Sequence, residues 1–311
     1  MGLYPKKSEY RDYTFPTDHY ENRIYHVSDS HGNDNWSGLS WTKAKQTIMA
    51  AVNEARYVVG GTTISYTEKS IKSLVLVAPG HYNERVAWSG YGLDLVGCAH
   101  GRPGKDYGVS INYDGALTLA DNVYVVAFGG SGNSIRNLHI TVGAEAMAGV
   151  TILAGDNNLI ENCVIEGDGT MTYGIDCESL KGSVIKDCLI ERFATAGIRM
   201  HGGADHYAID GSIENCQLHS DETGADGILF DANIVAYNFK IDRNHLDVLG
   251  GAAGSIGVVI AGTQTVFVTN NNVRAHTTGF SHAGDGLMQN FESVGAGAGA
   301  GVYDLTTAGD T

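Results

Sequence analysis

The sequence predicts an all-β protein: a single-stranded right-handed parallel β-helix (solenoid) with an N-terminal capping α-helix. Three observations predict it. A six-residue phrase recurs at steps of 25, 25, 28, 28 and 27 residues, a second phrase led by glycine keeps pace with it, and the chain is rich in glycine (42 of 311 residues) and hydrophobic residues (43%) while only 18% are charged. The last of these excludes a disordered chain, and the lack of a G-X-Y period excludes collagen.

The first phrase reads Ile135-Arg-Asn-Leu-His-Ile140, Ile160-Glu-Asn-Cys-Val-Ile165, Ile185-Lys-Asp-Cys-Leu-Ile190 and Ile213-Glu-Asn-Cys-Gln-Leu218, with weaker copies at Ile241-Asp-Arg-Asn-His-Leu246 and Val268-Thr-Asn-Asn-Asn-Val273. Apolar and polar residues alternate, which is strand periodicity. Asn or Asp separates two apolar stretches, where a residue tolerant of left-handed backbone is needed. The second phrase is Gly149-Val-Thr-Ile152, Gly174-Ile-Asp-Cys177, Gly197-Ile-Arg-Met200, Gly227-Ile-Leu-Phe230 and Gly257-Val-Val-Ile260. Helical repeats would need long runs of 3.6 period and leucine-rich repeats several leucines per unit, and neither is present. A unit of about 25 residues with three short strands and tight turns is one coil of a parallel β-helix. Earlier coils are predicted through Leu74-Val-Leu-Val77, Leu93-Asp-Leu-Val96, Val109-Ser-Ile-Asn112 and Val123-Tyr-Val-Val126, so the β-helix runs from about residue 70 to 290.

The remaining elements follow from the needs of that solenoid. Its apolar end requires a cap, and residues 24–69 supply one. Within it a helix is predicted at about 42–56, started by Ser40 or Thr42, with Ile48, Ala51, Val52 and Ala55 as its apolar stripe. Residues 1–23 form a polar arm carrying Tyr4, Tyr10, Tyr13, Phe15 and Tyr20, and residues 291–311 form a tail containing the Gly/Ala tract Gly295–Gly301. Five cysteines without a CxxC pair argue against a disulfide framework. Cys163, Cys188 and Cys216 share one repeat position and are expected as a buried, reduced, structural ladder. Asn137, Asn162, Asp187 and Asn215 are expected as a turn ladder beside it.

Asn33-Asp-Asn-Trp-Ser-Gly-Leu-Ser40, Lys45-Gln-Thr-Ile-Met-Ala-Ala51 and Leu76-Val-Ala-Pro-Gly-His-Tyr-Asn-Glu-Arg-Val86 resemble the opening of pectin-lyase-like β-helix proteins, over about residues 24–290. That superfamily includes polysaccharide lyases, pectin esterases, glycosidases and phage tailspikes. The resemblance implies the fold; it carries no complete pectin esterase or polygalacturonase signature, the nearest fragment being His201-Gly-Gly203.

Strand parity nominates one site. If Ile175 points inward, Asp176 and Glu178 point outward, and Arg199, His201 and Asp231 continue the same columns on the next two coils. Asp176 is then expected beside Arg199, and Glu178, His201 and Asp231 in a line. Carboxylates two coils apart lie roughly 9–10 Å from each other, near the upper end of the spacing of about 6.5–9.5 Å found in inverting glycosidases, with His201 between them to shuttle protons. The preferred reading of these columns is a solvated charge ladder; a glycan-binding groove and a catalytic site are the alternatives. The 27 aromatic residues (Tyr 16, Trp 3, Phe 8) offer stacking platforms for sugars. His276, His282 and Asp285 are a further, weaker cation candidate, and no cofactor motif is present.

Charge and context complete the expectations. The net charge of −15 argues against a nucleic-acid partner and against a polyuronate. No run of 18 apolar residues exists, so no membrane helix is expected. The opening lacks an apolar h-region, so synthesis in a host cytoplasm without a signal peptide is expected. Together with the resemblance, these features point to a structural virion protein of a phage: a capsid decoration or cement protein, a homotrimer attached to other virion proteins such as the major capsid protein, with possible binding of a surface glycan. The alternative is a tailspike-like polysaccharide lyase or glycoside hydrolase.

Overall fold

The computed structural model describes residues 24–56, 72–98, 108–113, 124–143, 148–202, 206–248, 254–261, 265–275, 278–282, 287–289 and 292–293. Three parallel sheets of eleven, nine and eight strands, here A, B and C, run the length of a solenoid. One coil takes a strand from each in turn, as in Leu159–Glu161, Val164–Glu166 and Tyr173–Cys177. Every repeat position meets its counterpart in register: Ile160 pairs with Ile135 and Ile185, Ile165 with Ile140 and Ile190, and Ile175 with Val150 and Ile198. These stacks are fully buried and form one continuous core.

The corner between sheets A and B explains the first phrase. Asn137, Asn162, Asp187 and Asn215 have φ between 50° and 56°, as do Arg243 (56°) and Asn270 (54°) in the weaker copies. A short polar side chain tolerates this left-handed geometry and can bond along the stack. Asn162 Nδ2 donates to Asn137 Oδ1 at 2.8 Å and Asn215 Nδ2 to Asp187 Oδ1 at 2.6 Å. The next residue is the cysteine ladder, and Cys163, Cys188 and Cys216 are buried free thiols. Burial pushes the Cys163 and Cys216 thiols well above the ordinary range, and contact with the Cys188 thiol adds to the rise. The ladder is longer than its cysteines. Asn244 and Asn271 hold the same position in the last two copies, where Asn244 Oδ1 accepts from Cys216 N–H and Asn271 Oδ1 from Asn244 N–H, each at 2.9 Å.

The glycine phrase marks where sheet C meets sheet B. A Cβ on Gly197 would lie 2.5 Å from Leu218 Cδ2 and 2.9 Å from Gly227 O, and Gly174 faces Ile190 in the same way. No side chain fits there. Register passes from Tyr173 to Ile175 without pairing Gly174, so the alternation breaks and Tyr173 faces outward.

Three boundaries differ from the expectations. The cap helix spans Ile48–Arg56: it ends where predicted but starts six residues later, with a 3-10 turn at Trp41–Lys43 before it. Neither Ser40 nor Thr42 starts it. Thr47 Oγ1 accepts from Ala50 N–H at 3.2 Å, and the Asp34 and Glu84 carboxylates reach the first turn from outside: Asp34 accepts from Gln46 and Thr47 N–H, Glu84 from Ile48 and Met49 N–H. Anions at this end satisfy orphan donors and the helix dipole. Both carboxylates belong to the segments that carry the resemblance. The stripe Ile48, Ala51, Val52 and Ala55 is buried as predicted. The strand Ile24–Val27, assigned above to the cap, already opens sheet A by pairing with Ser73–Val77. At the other end Glu292–Ser293 still pairs in sheet B, two residues inside the predicted tail. Residues 1–23 and 294–311 lie outside the described residues.

Candidate functional site

The outer face of sheet A carries a row of half-exposed charges. Glu161, Lys186 and Glu214 stand in register on successive coils, and Glu161 Oε1 meets Lys186 Nζ at 2.8 Å. The outer face of sheet C is different. Asp176 stands beside Arg199 on the neighbouring strand, as the parity argument requires, but the residue is only 4% exposed. Its outward neighbour on the preceding coil, Thr151, is also buried, so one end of the column is closed.

Arg199 organises the site. Its Nε and Nη2 donate to Asp231 Oδ2 at 3.1 and 2.7 Å, its Nη1 lies 3.8 Å from Asp176 Oδ1, and its guanidinium carbon sits 4.6 Å from the centre of the Tyr173 ring. Burial works against the Arg199 charge. The Asp231 hydrogen bond and the fields of Tyr173, Asp231 and Asp176 outweigh it and raise the pKa above its ordinary value. Burial raises the Tyr173 phenol as well, against the opposing pull of Arg199.

His201 departs from its predicted place. Its Nε2 lies 3.2 Å from Asp176 Oδ2, so it turns back along its own strand direction to the buried carboxylate instead of bridging Glu178 and Asp231. The physical reason is charge: Asp176 is the more deeply buried anion and offers the stronger field to a polar ring. The backbone register of the predicted line survives, since His201 N–H donates to Cys177 O and Asp231 N–H to Met200 O. Glu178 is half-buried and flanks the cluster. The site is thus Tyr173, Asp176, Arg199, His201 and Asp231, with Glu178 at its edge. Tyr173 was missed because the break at Gly174 inverts its parity.

One atom in this cluster is unsatisfied. Asp176 Oδ1 is buried and accepts no hydrogen bond among the described residues. A buried carboxylate oxygen without a donor is costly. A site with two carboxylates, one cation holding both and one imidazole can transfer protons and steady a developing negative charge. Among the described residues no cluster of His, Cys, Asp and Glu suits a metal ion. Of the other cation candidates, His276 and Asp285 lie outside the described residues, as does the side chain of His282.

With the three-sheet solenoid and its cap in place, the class is defined: the chain has the right-handed parallel β-helix fold. The family model for the right handed beta helix region matches residues 104–212. No curated protein sequence matches the chain. Among solved structures it is similar to the pectin methylesterase PemA from Erwinia chrysanthemi, with 16% identity, 90% of this chain and 91% of that one covered, and a TM-score of 0.54. It is similar to the pectin methylesterase from Aspergillus niger, with 15% identity, 89% and 87% covered, and a TM-score of 0.51. It is also similar to the tailspike protein gp49 from Acinetobacter baumannii bacteriophage Fri1, a capsular polysaccharide depolymerase, with 11% identity and a TM-score of 0.52; 88% of this chain and 55% of that one are covered.

Proposed function

We propose that this is a glycan-acting β-helix protein whose site is the outer face of sheet C, built from Asp176, Arg199, His201 and Asp231. The observation that carries the proposal is the Asp176 carboxylate: buried, held by Arg199 and His201, with Oδ1 left without a donor. A buried water donating to Oδ1 would complete its shell and link it to a sugar hydroxyl outside. Asp176 then takes the proton, His201 is placed to pass it on, and Arg199 faces the charge that develops on the reacting oxygen. A neutral glycan fits better than a polyuronate, because the site sets one cation, Arg199, against Asp176, Asp231 and Glu178, and the chain carries a net charge of −15. The similarity in fold to polysaccharide-acting proteins supports this reading.

The setting we propose is the surface of a phage particle, with the chain as a homotrimer on other virion proteins such as the capsid protein. What supports it is the tailspike similarity and the shape of the solenoid, whose flat lateral sheets can pack around a threefold axis and leave no repeating contact open. A sedimenting monomer that fails to co-purify with particles would remove this setting.

The test of the site is direct. Purified protein is incubated with bacterial capsular polysaccharides and methyl-esterified pectin, and reducing ends, unsaturated products and released esters are measured. D176N and D231N should each lower the rate a hundredfold or more, while E161Q on sheet A leaves it unchanged. If no glycan is cleaved, de-esterified or bound, the cluster is a structural charge ladder and the proposal falls.

A further inference from the structure

We infer that Tyr207, Ile209, Val235 and Tyr237 form a stacking ledge for a pyranose ring of the glycan engaged by sheet C, an inference that rests on the function proposed above. The ledge lies on two neighbouring strands of sheet A, where the chain enters it from sheet C: Tyr207–Ile209 and the first part of Val235–Asp242, which pair in parallel with Tyr207 opposite Val235 and Ile209 opposite Tyr237. Ala208 and Ala236 between them are buried. The other four therefore point outward. Tyr207 is 37% exposed, Val235 42% and Tyr237 60%; of the five large hydrophobic residues exposed among the described residues, these are three, and the other two, Leu39 and Tyr91, lie apart on the cap and the first coil. Clustering of this kind, unlike scattered exposure, marks a binding surface.

The ledge is held rigidly and lies beside the site. Leu180 and Gly182 N–H donate to Tyr207 and Ile209 carbonyls at 2.7 Å, so the first strand is bonded on both edges. Asp231 opens a turn closed by Ile234 N–H donating to Asp231 O at 3.2 Å. Such a turn brings its first and fourth Cα atoms within about 7 Å, and Val235 is the next residue. The carboxylate that binds Arg199 and the start of the ledge are thus the two ends of one turn. On the coil before, the same connection carries the extra residues that separate Gly197 from Ile213 by 16 positions, where most coils take 11.

Size and chemistry select the occupant. Two residues along the strand and one strand across make a surface of roughly 7 by 5 Å. A stable protein interface needs about 800 Å² from each partner, far more than this. A sugar ring fits it, with its C–H face on the phenol rings and its hydroxyls at the rim. Asp210 and Asn238 border the ledge, tied by an Asn238 Nδ2 to Asp210 Oδ1 hydrogen bond of 2.6 Å, and offer polar partners to those hydroxyls. The four outward side chains carry no charge, in keeping with a neutral ring.

The experiment uses a printed array of bacterial capsular and plant cell-wall glycans, read with the full chain, with the Y207A/Y237A and Y207F/Y237F pairs, and with E161Q, in the charged row of sheet A away from the ledge, as the control. The full chain and E161Q should bind the same glycans, the alanine pair should bind them at least tenfold more weakly, and the phenylalanine pair should restore binding. Unchanged binding by the alanine pair overturns the ledge and leaves the proposed function standing. No glycan bound by the full chain overturns both. Sedimentation provides the other control: an oligomer that the alanine pair dissociates, with glycan binding intact, would make the ledge a contact between copies and overturn the inference.

Discussion

Replacing Arg199 by methionine tests whether the cluster on sheet C is held by its charges. Asp176 is 4% exposed and has two cationic or polar neighbours, Arg199 at 3.8 Å and His201 at 3.2 Å. At an effective dielectric of about 20, a unit pair at that separation is worth about 4 kcal/mol, and removing one partner of a buried pair costs about 3–5 kcal/mol. The Arg199 side chain is 22% exposed and that of Asp231 29%, so water screens part of this. The expected cost of R199M is therefore about 2–3 kcal/mol. D176N alone should cost about 1 kcal/mol, because an amide keeps the shape and loses the charge. The double variant D176N/R199M should then be more stable than R199M alone, since no unpaired charge is left buried, although each single change is destabilising. Urea unfolding followed by circular dichroism, with the slope unchanged between variants, measures all four corners of the cycle. A cost for R199M below about 0.5 kcal/mol, or a double variant no better than R199M, would refute the electrostatic account of the site.

Three further outcomes follow. Gly197→Ala should destabilise by about 1–3 kcal/mol, because its Cβ would sit 2.5 Å from Leu218 Cδ2 and 2.9 Å from a carbonyl that cannot move; a neutral result in urea would mean sheets B and C are less tightly joined than the glycine row requires. Burial raises the Asp226 pKa to about 6, against the Ile256 N–H hydrogen bond that lowers it; a raised carboxyl pKa means the folded state holds the proton more tightly, so stability is lost as pH rises from about 4 through 6. Asp226→Asn should thus stabilise by about 1 kcal/mol above pH 7, after discounting for its partial exposure, and do nothing near pH 3, and a gain that persists at pH 3 would contradict the cause. Cys163, Cys188 and Cys216 should resist a thiol reagent until the chain unfolds, and Cys188→Ser should cost only about 1 kcal/mol, because the Lys186 carbonyl 3.2 Å from the sulfur can accept from a hydroxyl; rapid labelling of the native protein would refute burial.

The sequence by itself determined the solenoid. Periodic phrases specify a period-two strand, a left-handed corner and a glycine contact, and each of these is a local requirement written once per coil. Asn162 and Asp187 could be assigned to the corner because backbone sterics near one residue select for them. The column relation of Asp176 with Arg199 was also legible, since register between identical repeats is set by the repeat itself. The tertiary structure alone decided the rest, and for one physical reason: side chains choose partners by burial and by field, which depend on neighbouring coils. Thus His201 turns to Asp176 and away from Glu178 and Asp231, Tyr173 faces Arg199 because Gly174 breaks the alternation, and the cap helix begins at Ile48 because Asp34 and Glu84 close over its first turn. Tyr207 and Tyr237 were counted in the sequence only as aromatic residues. Their shared ledge exists because two irregular connections, of unequal length and without a common phrase, pair across neighbouring coils.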